Sequence, residues 1–70
     1  MKLTASEIGH GVTTERYTAN DKIVVILVST STWGDGSIHD DHFTVLDTGG
    51  RSGIIYSRET AMKIAASRVL

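Results

Sequence analysis

The chain has 70 residues and no cysteine, and its seven Lys and Arg against eight Asp and Glu leave a formal net charge of −1. This excludes disulfides and thiolate metal sites, is too balanced for a protein that holds nucleic acid by charge, and limits the chain to one domain, residues 1–70. A chain of about 60 residues buries only about 60% of the surface its unfolded form exposes, so oligomerisation or binding is the reinforcement left to it.

Taken in order, Thr4-Ala5-Ser6-Glu7 matches a capping box, and Gly9 and Gly11 follow too soon for more than one helical turn; an extended N-terminal arm is the alternative. Residues 13–18 are rich in β-formers and Ala19-Asn20-Asp21 supplies turn residues, which predicts a strand hairpinned onto a second one over 22–31. That second strand holds the run Ile23 to Val28, six consecutive apolar residues, and continues into the hydroxyls of Ser29-Thr30-Ser31-Thr32. Trp33 to Ser37 reads as a reversal, Phe43 to Leu46 as a strand, Asp47 to Gly53 as a further turn, and Ile54-Ile55-Tyr56 as the last strand. Ser57 is placed to cap a helix from 58 to about 69, with Ala61, Met62, Ile64, Ala65 and Val69 on its apolar stripe and Lys63 and Arg68 in water. The expected fold is α+β: a small antiparallel sheet of three to four strands with one C-terminal helix packed on one face, in the order β-β-β-β-α.

The apolar run gives this fold a problem. Ile23, Val25 and Leu27 point to one side of the strand and Val24, Ile26 and Val28 to the other, and a single helix of about three turns covers one side. Leaving three such side chains in water forfeits about 1.5–3 kcal/mol each. The N-terminal segment with Leu3, Ile8 and Val12 is one candidate roof. A second copy or a protein target is the other; the side left without a roof is that of Val24, Ile26 and Val28 or its opposite, and Val24, Ile26 and Val28 are taken as the dimer or docking face.

Charge is unevenly placed. Residues 35–50 carry four aspartates and no Lys or Arg, whereas residues 51–70 carry Arg51, Arg58, Lys63 and Arg68 against Glu59 alone. The two patches either steer partners or face each other across the fold. His39-Asp40-Asp41-His42 contains metal-ligand types, with His39 and His42 as the candidates. In a strand, however, successive side chains alternate sides and the four converge only in a loop or helical turn; with Phe43 onward extended, the segment reads as a solvated acidic loop before that strand, and no metal or other cofactor is expected. Gly50-Arg51-Ser52-Gly53 lacks the lysine and following helix of a phosphate loop and the last glycine of a nucleophile elbow, so an enzyme is not expected. Trp33, at the mouth of a glycine loop, is the leading recognition residue, joined by Asp35, Asp40, Asp41, Arg51 and Tyr56 as partner-binding candidates.

In size, cysteine-free balance and the strand-strand-helix ending from Phe43 to Val69, the chain resembles the short accessory proteins that bacteriophages encode to inhibit host or defence enzymes. The resemblance is one of format and brings no functional residue with it. It implies a non-enzymatic protein-binding module, a monomer or homodimer that acts by occluding a surface. The other reading is a small dimeric nucleic-acid-associated regulator using the basic helix and Arg51. Met1-Lys2-Leu3-Thr4 leads into polar residues rather than an apolar core, and no apolar run approaches the ~20 residues that span a bilayer, so the expected setting is the cytoplasm, away from membranes.

Overall fold

In a computed structural model describing residues 1–70, the chain runs back and forth through five antiparallel strands before its helix. These are β1 (Lys2–Gly9), β2 (Val12–Ala19), β3 (Lys22–Thr32), β4 (Ile38–Asp47) and β5 (Gly50–Arg51), followed by α1 (Arg58–Arg68). Strand order in the sheet is sequence order. The first two connections are two-residue turns in which both central residues have positive φ: His10 (42°) with Gly11 (78°), and Asn20 (52°) with Asp21 (60°). That is the type I′ geometry, whose twist matches the strands it joins. Asn20-Asp21 accepts it because Asn and Asp tolerate the left-handed region.

Residues 4–7 are therefore strand, not a capped helical turn; the extended alternative holds. β1 lies beside β2 as an edge strand, exposed along its whole length, so it widens the sheet and does not roof it. Its pairing shifts register between Leu3 and Ala5, where the Thr4 hydroxyl donates to the Arg16 carbonyl at 3.2 Å. β3 matches its predicted span. β4 begins five residues before its predicted start, because the hydroxyl-bearing end of β3 pairs with Ile38–His42. Ile54–Tyr56 does not form the last strand. The Ser52 hydroxyl accepts from the Val45 amide, closing the ladder, and beyond it only Ile55 bridges back to Phe43.

Ser57 caps α1 as expected, its hydroxyl accepting from the Thr60 amide. Ala61, Ala65 and Val69 form one ridge four residues apart and are buried, and the two alanine methyls let the helix sit close on the sheet. Below them lie Tyr17, Val24, Ile26, Val28, Phe43 and Val45, with Met62 and Ile64 packed at the margin. The helix is tied down at both ends. At its start Arg58 reaches over the sheet to Glu15 on β2 and Asp40 on β4. At its end the Asn20 amide donates to the Val69 carbonyl at 2.8 Å, Lys22 donates to the Leu70 oxygen, and Arg68 meets Asp47 at 3.2 Å. The acidic middle and the basic end thus face each other. No helix is long and apolar enough to cross a membrane.

Candidate docking surface

Side chains alternate across a strand, so the helix settles which half of the apolar run is covered. Val24, Ile26 and Val28 are buried at 0–1% exposure, which corrects their assignment as the docking face: they are the floor beneath α1. Ile23, Val25 and Leu27 point the other way, where no element packs. Ile23 is 53% exposed and Val25 and Leu27 are half-buried by their neighbours alone.

Strand register builds this open face row by row. Lys2, Thr18 and Ile23 form the first row; Ala5, Arg16, Val25, Leu46 and Arg51 the second; Glu7, Thr14, Leu27 and Thr44 the third; Val12, Ser29 and His42 the fourth. A shallow groove of about 370 Å³ runs along it, lined by Arg16, Ile23, Val25, Leu46, Asp47 and Thr48. Its centre is apolar and its margins carry hydroxyls and charges. Lys2, Glu7, Arg16 and Arg51 have no ion-pair partner within the chain, in contrast to every cation of the helix.

The predicted partner-binding residues fall into separate places. Trp33 stands at the tip of the β3–β4 hairpin, 60% exposed, its ring tilted on His39 with centroids 4.6 Å apart. Asp35 shapes that tip by accepting from the Ser37 amide and hydroxyl, which lowers its pKa below the usual carboxylate value. Arg51 lies toward the opposite end of β4, eight residues or about 26 Å away along the strand, so it shares no site with Trp33. Tyr56 is exposed and its ring meets that of His42 edge-on at 6.5 Å.

Asp40 is not a free recognition residue. Its carboxylate accepts from Arg58 Nε and Nη2 at 3.2 and 2.9 Å, and Arg58 Nη1 donates to Glu15, which also accepts from the Tyr17 hydroxyl at 3.0 Å. The guanidinium lies 5.1 Å from the centre of the Phe43 ring. Sequence reading missed this cluster because Glu15, Tyr17, Asp40 and Arg58 come from three elements. Its one available signal was the excess of opposite charge in the two halves. The hydrogen bond from Arg58 to Glu15 raises the guanidinium pKa, and burial, then the bond to Glu15, raises that of Tyr17.

His39-Asp40-Asp41-His42 lies within β4. The register slips between Ser29 and Thr30, leaving Asp41 as the unpaired residue of a bulge, with its carboxylate 3.5 Å from His42 Nδ1. Asp40 turns to the helix side and His42 to the open side, so the four do not converge, and nowhere do three His, Asp or Glu side chains come together as metal ligands.

The arrangement defines an antiparallel α+β layer pair with one sheet face roofed and the other bare. Compared with protein-family models, curated proteins and solved structures, the chain matches none.

Proposed function

We propose that this chain is a non-enzymatic protein-binding module that works by occlusion, docking through the bare face of its sheet. The observation that carries this reading is that Ile23, exposed, and Val25, Leu27 and Leu46, half-buried, form one contiguous strip on a face against which no helix or strand of the chain packs. Apolar strips rimmed by polar side chains mark interaction surfaces. The hairpin tip with Trp33 supplies a second contact. The dense titratable cluster around Arg58 fastens the helix to the sheet, and no buried polar side-chain atom is left without a partner. The finer expectation is inhibition of a host or defence enzyme in the manner of short phage proteins, in a reducing cytoplasm where a cysteine-free chain is at no disadvantage.

The nucleic-acid reading, which uses the basic helix and Arg51, has less behind it, because Arg58, Lys63 and Arg68 each lie against a carboxylate and Arg51 is the one cation of that set without an ion-pair partner. Wild type, Leu27→Glu and Ile8→Glu, the last altering an exposed apolar residue on the other face, serve as baits in lysate of the producing or host cell. A protein held by wild type and Ile8→Glu at about 0.5 M salt but lost by Leu27→Glu supports docking through the bare face. Equal capture by Leu27→Glu refutes it, and nuclease-sensitive, salt-released capture favours the nucleic-acid reading.

A further inference from the structure

Resting on the reading of the bare face as a docking surface, we propose that its occupant is a second copy of this chain. The two copies are related by a two-fold axis lying across the strands, between the row of Val25 and the row of Leu27. Three observations select this occupant and this axis.

The first is size. The chain exposes 4709 Å², whereas a compact protein of its 7.6 kDa mass exposes about 4,300 Å². Four strands at ~4.8 Å by four rows of two residues at ~3.3 Å give a face of roughly 19 × 26 Å, about 500 Å² before side-chain relief. Two such faces bury about 1,000 Å² or more, the threshold for a specific interface.

The second is self-complementarity. The axis swaps the two central rows, so Val25 of each copy lies against Leu27 of the other, and Leu46 lies over the row position of Thr44, which is itself buried at 8% exposure. The strands of the two sheets are then antiparallel and aligned, the ordinary packing of a β-sandwich with sheets ~10 Å apart.

The third is charge. Glu7 is the one carboxylate among the residues of these two rows, one row from Arg16 and one strand further out. Exchanging the rows brings Glu7 over Ala5, whose methyl leaves it room, and beside Arg16 of the second copy. Both side chains lack an ion partner at home and are long enough to meet across the gap. The symmetry makes this pair twice.

Sedimentation velocity on the full chain from about 1 to 200 µM tests the proposal, with circular dichroism reporting that each variant is folded. Wild type is expected to dimerise within this concentration range, and Leu27→Glu to stay monomeric. Glu7→Arg and Arg16→Glu, both at exposed or half-exposed positions, each raise the Kd about tenfold, and the double variant returns to within about threefold of wild type. A wild type that is monomeric at about 200 µM overturns the proposal. A dimer indifferent to both reversals, or one not rescued by the double variant, overturns this axis. Failure here is distinct from failure of the docking reading. A monomeric wild type that captures a protein which Leu27→Glu loses keeps the face as a docking surface and gives it to a different partner.

Discussion

Arg58 shows how much of this fold hangs on one side chain. It spans from β4 to β2 above the sheet, and a lysine in its place has one ammonium where three guanidinium N–H groups now divide between Asp40 and Glu15. Because Arg58 is partly exposed, solvent screening keeps the effect modest: Arg58→Ala is expected to destabilise by about 1–2 kcal/mol in urea unfolding, with Arg58→Lys recovering less than half. An unchanged midpoint would mean that the cluster is decoration. Tyr17 gives the same cluster a pH signature. Burial and the bond to Glu15 hold its phenol above the ordinary value of 10.0, so the folded chain keeps that proton more tightly than the unfolded chain does. The associated stability is whole below pH 10.0 and is lost as pH rises through the folded value. Wild type should therefore lose unfolding free energy above pH 10 more steeply than Tyr17→Phe in urea unfolding followed across that range.

At the scale of elements, what the sequence made readable was whatever carries a local physical signal. Ser57 at the helix start, the four-residue ridge of Ala61, Ala65 and Val69, the Asn20-Asp21 turn and the long β3 all follow from caps, periodicity and turn chemistry, and all are present. β1 was opaque because every residue in it is exposed, which leaves no alternation to detect and lets a fortuitous capping box suggest a helix. The start of β4 was opaque for a related reason. Polar His39, Asp40 and His42 belong in a strand only because Ser29, Thr30 and Ser31 accept them across the ladder and Arg58 comes down on Asp40. The docking candidate was half readable. Six apolar residues in a row announce that two faces need cover, but both faces of Ile23–Val28 are equally greasy, and only the docked helix distinguishes Ile26 from Leu27. Two substitutions measure that distinction: Ile26→Ala, beneath the helix, should destabilise by about 2–5 kcal/mol, and Leu27→Ala, on the bare side, by about 1 kcal/mol or less at a concentration where the chain is monomeric. Ser57→Ala should remove about 1 kcal/mol through the lost cap. Comparable losses at 26 and 27 would show that something already covers the bare face.

The whole molecule is a slab, 41 × 21 × 18 Å, with its packing concentrated under the helix and thinning toward β1. The helix rests on β3 and β4, β2 contributes only Tyr17 to the core, and β1 contributes nothing. Stability is therefore graded across the sheet, because each strand is held by its ladder plus whatever apolar burial lies above it. Hydrogen exchange followed residue by residue should reproduce the gradient. The amides of Val24 to Val28 should open only with global unfolding, those of β2 and of β4 near Val45 somewhat faster, and the outward amides of β1 within the dead time of the experiment. A second copy seated on the bare face would steepen the protection of β3 and β2 as concentration rises while leaving the outward edge of β1 as fast as before, since sheet-on-sheet packing covers side chains and not that edge. Slow exchange along the outer edge of β1 that grows with concentration would instead mean strand-to-strand pairing at the sheet margin. That result would move the molecule's contact surface from its face to its rim.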